Sequence, residues 1–375
     1  MVIAWEVKPP MIKDYYMMRR MSIVLFFILS WCNAYAVVSV VKNAQGLTVC
    51  TEYGEFSIHE PVLVDLIQCS AMERLKDIRQ YGVTHYARQE AQFTRYEHSL
   101  GVFVLLRTFG ACLEEQIAGL MHDVSHTVFS HVGDIVFSSY FDQYSYQDHI
   151  HEWFLDSTGV TKILQVHGMS GCCSEETKKK MRMLEQDKPD LCMDRIEYLL
   201  RGALAENLIT QKQAREIIDN LYFENGLWAC KDISTARSIG TISLWLTENI
   251  FGSAWNAFIY DHASIALKRA LDIKAITLDD IHFSTDEVMW QTLKNQSDEI
   301  IKNSLDKVEH YNDYFILADA KNYDQHYKAK FLGVDPWVEI DHGIARLSSL
   351  DVEYKDEYDR VQSLMKKGWY IELIK

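Results

Sequence analysis

The residues best suited to chemistry lie in one stretch, Ala118–Asp134, where an apolar run ends in His122 and Asp123. Two more histidines and another aspartate follow within eleven residues. A neutral imidazole beside a carboxylate is a good ligand pair for a divalent metal, because both groups can donate electron pairs near pH 7. Two neighbouring residues cannot complete a coordination shell, so further ligands must come from elsewhere in the chain.

The further ligands that the pattern favours are His98 upstream and Asp194 downstream. Apolar spacing places His98 at the start of one helix and His122 at the end of the next, and a short turn makes these two helices antiparallel. Asp194 lies in an apolar helix, where a carboxylate needs a metal or an arginine as partner. We therefore predict a shell of His98, His122, Asp123 and Asp194 that leaves positions open for water and substrate, as a catalytic metal requires.

The elements that must position these residues are mostly helices, because apolar residues recur at intervals of three and four along most of the chain. We predict a β-hairpin over 37–60, a helical domain over 61–320 and a small α+β C-terminal module over 325–375. In this module a charged helix over 350–367 precedes a last strand. The predicted helices of the central domain are 97–109, 113–123, 128–142, 147–158, 175–186, 191–206, 211–220, 234–271 with an interruption near Gly252, and 284–309.

The overall charge limits the partners of the protein. The formal net charge is -15 at pH 7. Nonspecific binding of duplex nucleic acid needs a basic face that displaces counterions, so duplex nucleic acid is not expected as a partner. A local basic pocket for one small phosphorylated molecule is compatible with this charge.

The N-terminal stretch Met17–Ala36 has a basic start, a short apolar core and small residues at its end, which is typical of a cleavable export signal. Its apolar core is too short for a comfortable membrane span. We therefore predict a signal peptide over 1–36 and an exported protein, periplasmic or secreted. A buried N-terminal helix or an uncleaved anchor is the alternative, and without the signal the protein would be cytoplasmic.

The order of the predicted ligands resembles that of the HD-domain metal-dependent phosphohydrolases. Three motifs, Thr94–Val102, His122–Asp134 and Asp194–Arg201, look like those of the deoxynucleoside triphosphate triphosphohydrolase branch, and the resemblance runs from about Arg79 to Leu271. It implies an HD-domain helical bundle, one divalent metal ion and a small phosphorylated substrate with the chemistry of a nucleotide. The metal could be Mn, Fe, Zn, Mg or Co, since all accept histidine and carboxylate ligands. Relatives commonly assemble, which implies a homo-oligomer.

The resemblance also implies roles for residues outside the metal shell. His126 and the pair His151 and Glu152 would supply acid–base or phosphate-contacting groups, and His131 and Asp134 would support them. The substrate-contacting residues would be Gln80 at the sugar, Arg95 and Arg195 at phosphates, and Tyr198 and Tyr260 as walls of the sugar pocket.

Most of these residues also have a simpler interpretation. His126 and His131 could be buried, hydrogen-bonded side chains, and Arg95 could pair with an acid. His151 and Gln80 could lie on the surface. The two tyrosines could pack in the core.

The sequence departs from this branch at three positions. Gly202 stands where these nucleotidases have an aspartate that reads the sugar 3′-hydroxyl, and Gly252 and Ala263 stand where they place a phosphate-binding arginine and lysine. The residues of the hydrolytic centre are all present, but two of the expected contacts with a triphosphate are missing.

Together these features predict a metal-dependent phosphohydrolase that acts on a nucleotide-like phosphoester or phosphoanhydride. The more specific hypothesis is hydrolysis of a deoxynucleoside triphosphate to a deoxynucleoside and triphosphate. Two alternatives remain open: an exported phosphomonoesterase of the same fold, and a non-catalytic nucleotide-binding sensor.

Overall fold

The computed structural model of the protein describes residues 38–88, 93–138 and 146–374. The signal peptide predicted over 1–36 lies outside the described residues. Over the described ranges, no helix is both long enough and apolar enough to cross a membrane. These ranges are mostly helical with small sheets, which confirms the predicted fold class.

Along the described residues, short and medium-length helices alternate with short strands, which lie over 39–58, 221–230 and 315–373. The helices are α1 (Pro61–Ile67), α2 (Ser70–Leu75), α3 (Thr84–Ala87), α4 (Arg95–Thr108), α5 (Leu113–Met121), α6 (Val132–Val136), α7 (Tyr146–Ser157), α8 (Val160–Val166), α9 (Glu175–Lys178), α10 (Met193–Ala205), α11 (Gln211–Asp219), α12 (Ile233–Leu246), α13 (Ala254–Asp272), α14 (Leu278–Phe283), α15 (Asp286–Lys294), α16 (Glu299–Glu309), α17 (Leu347–Leu350) and α18 (Val352–Lys367). The strands are β1 (Ser39–Asn43), β2 (Gly46–Thr51), β3 (Gly54–Ile58), β4 (Leu221–Glu224), β5 (Leu227–Cys230), β6 (Phe315–Leu317), β7 (Gln325–Tyr327), β8 (Trp337–Ile340), β9 (Gly343–Arg346) and β10 (Trp369–Leu373).

The N-terminal strands form a three-stranded antiparallel sheet, where the sequence pattern predicted a two-stranded hairpin. β2 is the central strand, and it pairs with β1 and with β3. Its alternating burial turns Leu47 and Val49 into the core. The two-residue turn between β2 and β3 carries Glu52 and Tyr53, and the Glu52 side chain is buried.

The helix pair that carries the predicted metal ligands is formed as expected. α4 begins at Thr94 with a capping box, in which the Thr94 hydroxyl accepts from the Glu97 backbone N–H and the Glu97 carboxylate accepts from the Thr94 backbone N–H. α5 ends at Met121, directly before His122. The start of α4 therefore lies beside the end of α5, which brings His98 and His122 together.

Several predicted helices are shorter than expected. The helix predicted over 128–142 begins only at Val132, because Phe129 and Ser130 adopt left-handed backbone angles, and residues 139–145 lie outside the described ranges. The helix predicted over 175–186 is confined to α9. The helix predicted over 284–309 is divided into α15 and α16, since Asp298 caps the start of α16.

The hairpin formed by β4 and β5 was missed in the sequence. Its turn residues, Asn225 and Gly226, both have positive φ angles, as a tight hairpin turn requires. The Asn-Gly pair between two short apolar runs was therefore an available signal.

The tail residues complete sheets that begin earlier in the chain. β8 pairs in parallel with β5, and β10 lies between β6 and β7. The predicted boundary at 320–325 therefore does not coincide with a break in strand pairing.

The tail also contacts the loop before α10. Asp190 in this loop accepts a hydrogen bond from the Trp337 indole N–H at 3.0 Å and forms an ion pair with Arg346 at 2.5 Å.

We expect stability to fall at mildly acidic pH because of His262 in α13. This residue is 5% exposed, and neither ring nitrogen has a hydrogen-bond partner among the described residues. Burial, together with the charge of Lys307, lowers the pKa of His262 to about 4. An unfolded histidine titrates near ~6.5, so between these values the unfolded state takes up a proton and the folded state does not.

Above about pH 6.5, His262 is neutral in both states and does not reduce the free energy of unfolding. As the pH falls from about 6.5 to about 4, protonation of the unfolded state reduces the free energy of unfolding by up to about 3 kcal/mol. His262→Leu should remove that part of the pH dependence, measured by urea unfolding across pH 4–7. The exposed His342 provides the matched control, His342→Leu. A His262→Leu variant with the pH dependence of the unmodified protein would contradict this expectation.

Candidate metal centre

The four predicted ligands meet where the start of α4, the end of α5 and the start of α10 converge. The His98 Nε2 atom lies 3.1 Å from His122 Nε2 and 3.0 Å from Asp194 Oδ1. The distance from His122 Nε2 to Asp194 Oδ1 is 3.4 Å. Asp123 lies with one oxygen 3.7 Å from His98 Nε2 and the other 3.5 Å from His122 Nε2. The structure thus brings together four side chains that the sequence keeps far apart.

Both imidazoles present Nε2 to the shared space because their Nδ1 atoms are occupied. The Nδ1–H of His122 donates to the Gly119 carbonyl oxygen at 2.7 Å, and the Nδ1–H of His98 donates to the Glu197 carboxylate. Donation from Nδ1 leaves an electron pair on Nε2 of a neutral imidazole. With Nδ1 as the donor, the Nε2 atom of each imidazole can become a metal ligand by giving up a proton, and both Nε2 atoms lie beside the two carboxylates.

The charges around this space also favour a cation. Burial lowers the pKa of His98, but the adjacent carboxylates of Glu197 and Asp194 outweigh it and raise the pKa to about 10. Burial acts to raise the pKa of Asp194, but its hydrogen bonds with His122 and His98 hold that pKa below its usual range. Against burial, Arg95 and His122 likewise hold the pKa of Asp123 well below normal. The chemistry of these donors therefore fits a divalent metal ion.

Glu197 was not among the predicted site residues, yet it holds a metal-facing histidine. The Glu197 side chain is fully buried, and its Oε2 accepts a hydrogen bond from His98. Its Oε1 accepts hydrogen bonds from Arg201 Nε at 2.6 Å and from the Tyr53 hydroxyl at 3.1 Å. Glycine at position 101 permits this approach, since a Cβ there would lie 2.1 Å from Glu197 Oε1. The available signal was its spacing, because a residue three after Asp194 shares the same face of a helix.

Arg95 is buried beside the metal centre. It pairs with an acid, which was the alternative to a contact with phosphate. Its Nη1 donates to Asp123 Oδ2 at 2.6 Å and its Nε donates to the Ser130 hydroxyl at 2.8 Å. Its Nη2 is buried and has no hydrogen-bond partner among the described residues. Arg95 thus positions a ligand carboxylate, and its contact with phosphate stays a prediction.

His126 lies next to the ligand set, with Nε2 at 3.2 Å from Asp123 Oδ1. Burial and the charge of Arg95 lower the pKa of His126 to about 3. The His131 ring is 4.9 Å from the His126 ring, and His131 Nδ1 is hydrogen-bonded to Asp134 at 3.0 Å. The structure therefore brings together His126, His131 and Asp134 beside the centre.

The loop that carries His126 is held by buried groups from distant parts of the chain. Phe129 and Ser130 have φ angles of 58° and 54°, which are unfavourable for residues other than glycine. The Asp286 carboxylate accepts from the Phe129 backbone N–H at 2.6 Å and from the Arg79 backbone N–H at 2.8 Å. Arg74 donates to the His126 carbonyl oxygen at 2.9 Å. These hydrogen bonds compensate for the strained backbone.

The predicted pair on α7 is divided between the interior and the surface. His151 is fully buried, and its Nδ1 lies 2.9 Å from the Ser125 hydroxyl, two residues after Asp123. Glu152 is exposed. The surface interpretation is therefore wrong for His151, and the catalytic role of either residue stays a prediction.

Of the other predicted substrate residues, Arg195 and Tyr198 lie on α10, Tyr260 lies on α13, and Gln80 lies in the turn before α3. The Tyr260 hydroxyl donates to the Tyr81 carbonyl oxygen at 3.0 Å, and Tyr198 is one helical turn after Asp194. Gln80 is partly buried, and its side-chain oxygen has no hydrogen-bond partner among the described residues. Arg195 donates to the carbonyl oxygens of Asp190 and Gln186. Their contacts with substrate stay predictions.

The space at Gly202 is filled by a tyrosine. A Cβ at position 202 would lie 2.8 Å from the Tyr81 hydroxyl and 3.2 Å from Leu246 Cδ1. The Tyr81 hydroxyl is buried and has no hydrogen-bond partner among the described residues. A carboxylate at 202 would therefore require Tyr81 to move.

Comparison with known proteins identifies the class to which this fold and site belong. The HD-domain family model matches residues 95–167. The chain is 31% identical over 323 residues to the uncharacterized protein YdhJ of Bacillus subtilis, a match that covers 86% of this chain and 98% of YdhJ. The chain therefore belongs to the HD-domain family of metal-dependent phosphohydrolases.

Other relatives are matched over parts of the chain. It is 38% identical over 169 residues to the metal-dependent phosphohydrolase cns2 of Cordyceps militaris, which is 45% of this chain and 48% of cns2. It is 35% identical over 97 residues to the deoxynucleoside triphosphate triphosphohydrolase SAMHD1 of Xenopus laevis, which is 22% of this chain and 15% of that protein. The crystal structure of a phosphohydrolase from Bacteroides thetaiotaomicron has the same fold, with a TM-score of 0.66 at 16% identity, covering 90% of this chain and all of that one.

Asp123→Asn should remove the metal, because it replaces a ligand carboxylate with a neutral amide. Metal content of the purified protein and the Kd for Mn²⁺ provide the measurement, with circular dichroism to verify folding. Asp134→Asn is the matched control, since Asp134 is bonded to His131 rather than to the ligand set. Metal content in Asp123→Asn equal to that of the unmodified protein would refute the ligand assignment.

Proposed function

We propose that the protein hydrolyses a phosphoester or phosphoanhydride bond of a nucleotide-like substrate with the aid of one divalent metal ion. The observation that carries the proposal is the convergence of His98, His122, Asp123 and Asp194 on one small space. These four side chains would hold the ion, with Mn, Fe, Zn, Mg and Co as the candidates. An ion in such a site acts as a Lewis acid towards a phosphoryl oxygen and water.

The chain supplies the proton-transfer group from the same loop. His126 is buried beside Asp123, and its neighbour His131 is hydrogen-bonded to Asp134. Since its pKa lies below the usual range, His126 is neutral near pH 7, so it can accept a proton from the attacking water and then pass that proton to the leaving oxygen. Asp123 orients the His126 ring, while Arg95 fixes Asp123 from its other side. His126 is therefore our candidate for acid–base catalysis.

The residues that bind phosphate must differ from those of the nucleotidases that the sequence resembles. A Cβ at Gly252 would lie 2.4 Å from Met365 Sδ and 2.7 Å from the Thr247 carbonyl oxygen. Ala263 is 1% exposed in the packed face of α13. Long basic side chains do not fit at either position without rearrangement, so phosphate contacts need another source.

Three basic residues that influence one another electrostatically, Lys188, Arg195 and Lys330, are candidates for those contacts. The pKa of Lys188 is lowered to about 8, because its ammonium group is partly buried and Arg195 and Lys330 carry like charges. The loop around Lys188 also receives both hydrogen bonds from Arg195. Mutual repulsion among these cations would be relieved by an anion with several charges. Lys188, Arg195 and Lys330 are therefore our candidates for contacts with the phosphates of a nucleoside triphosphate.

The deoxynucleoside triphosphate hypothesis rests on the motif resemblance and on the partial SAMHD1 match. Tyr81 above Gly202 implies that any sugar is recognised without the aspartate of those enzymes. Assembly as a homo-oligomer and export through the predicted signal also belong to the proposal. Light scattering of the purified protein tests the first, and mass spectrometry of the mature N-terminus tests the second.

The substrate proposal predicts turnover of triphosphates in preference to monophosphates. The Mn²⁺-loaded protein should be assayed against deoxynucleoside and nucleoside triphosphates, nucleoside monophosphates and p-nitrophenyl phosphate, with products separated by chromatography. Triphosphate as product would support the specific hypothesis. Turnover of only monophosphates and p-nitrophenyl phosphate would indicate the phosphomonoesterase, and tight binding with no turnover would indicate the sensor.

His126→Gln should retain the metal but lower kcat by about 10²–10⁴, the usual contribution of a general acid or base. Mn²⁺ affinity and steady-state kinetics on the best substrate measure the two effects separately. His167→Gln is the matched control, because His167 pairs with Asp65 on the surface of the protein. An unaltered kcat in His126→Gln would make this histidine structural.

A further inference from the structure

A chain of buried charged groups leads from the metal centre to the N-terminal sheet. It begins at His98, continues through Glu197 and Arg201 of α10, and ends at Glu52 in the turn between β2 and β3. His98 and Glu197 are 0% exposed, and Glu52 and Arg201 are each 6% exposed. The sequence pattern assigned no role to Glu52, Tyr53, Glu197 or Arg201.

The turn makes two contacts with this chain of groups. The Tyr53 hydroxyl donates to Glu197 Oε1 at 3.1 Å, and Glu52 Oε1 lies 2.6 Å from Arg201 Nη2. Arg201 in turn donates from Nε to Glu197 Oε1 at 2.6 Å and from Nη2 to the Glu97 carbonyl oxygen at 3.0 Å. Two donors therefore fix one oxygen of Glu197, which leaves its other oxygen directed at His98.

We propose that the turn between β2 and β3 is a positioning element of the metal centre, in which Tyr53 and Glu52 set the orientation and basicity of His98 through Glu197 and Arg201. The inference rests on the proposed metal-dependent function. Partners of a metal-binding histidine fix its tautomer and raise its ligand strength.

The charges along the chain explain why Glu52 matters. Arg201 is shared by two carboxylates, so only part of its positive charge is directed at Glu197. When Glu52 is neutral, Arg201 pairs with Glu197 alone and withdraws more negative charge from the hydrogen bond to His98. The imidazole then becomes a weaker donor to the ion. Removal of the Tyr53 hydroxyl has a different effect, because Glu197 gains freedom to rotate away from His98.

A purely structural role makes a different prediction. The turn would then only anchor the N-terminal sheet on the helices, and its loss would lower the stability of the metal-free protein. The metal affinity and the coordination geometry would remain unchanged. Metal binding and stability must therefore be measured separately on the same variants.

The experiment uses the full chain with Glu52→Gln and Tyr53→Phe. The matched controls are Glu55→Gln, an exposed glutamate of the same sheet, and Tyr323→Phe, a tyrosine that is 46% exposed. For each protein we would measure the Kd for Mn²⁺, the visible absorption spectrum of bound Co²⁺, and urea unfolding in the presence of a chelator.

We expect Glu52→Gln to raise the Kd for Mn²⁺ about tenfold, the lower end of the effect of groups that support metal ligands. Tyr53→Phe should raise it about threefold, as for loss of one hydrogen bond. Both should shift the Co²⁺ spectrum, and both controls should match the unmodified protein. If Glu52→Gln does not fold, Tyr53→Phe decides the question, since it removes a single hydroxyl.

Two results would overturn the proposal, and they are distinguishable. Variants that bind Mn²⁺ and Co²⁺ like the unmodified protein would show that the turn is only structural, even if they unfold more easily. An unmodified protein that binds neither ion would instead refute the metal-dependent function itself, and the positioning role with it.

Discussion

The structure depends on the confinement of four electron-pair donors around one small space, in which the Nε2 atom of each imidazole lies within 3.7 Å of both carboxylates. The Nδ1 atoms of His98 and His122 are both occupied, so their Nε2 atoms face each other and the Asp194 carboxylate. In a buried space such an arrangement is costly unless a cation is present. The helix crossing, the capped start of α4 and the glycine that admits Glu197 all serve to hold these donors in place.

The residues around the four donors also hold these donors in fixed positions. Asp123 is fixed by Arg95, and the strained loop after it is held by Asp286 and Arg74. The tail contributes from the other side, since Arg346 and Trp337 hold Asp190 in the loop before α10. The metal centre is thus supported by residues from nearly the whole described chain, although the HD-domain match covers only residues 95–167.

Much of this arrangement could be predicted from the sequence because it follows from local patterns. Apolar periodicity located α4, α5 and α10, and antiparallel helices necessarily bring His98 and His122 together. Long-range contacts could not be predicted in this way. The insertion of Glu52 and Tyr53 beside Glu197, the pairing of β8 with β5, and the contact of Tyr81 over Gly202 all join residues more than 90 positions apart. Arg95 illustrates the limit, since its position in the motif did not reveal that it pairs with Asp123.

Anomalous diffraction from crystals grown with Mn²⁺ tests directly whether these four side chains share one ion. We expect one strong peak at coordination distance, about 2 Å, from His98 Nε2, His122 Nε2 and the carboxylates of Asp123 and Asp194. A well-ordered site with no anomalous peak at saturating Mn²⁺, or a peak that lies away from both imidazoles, would contradict it.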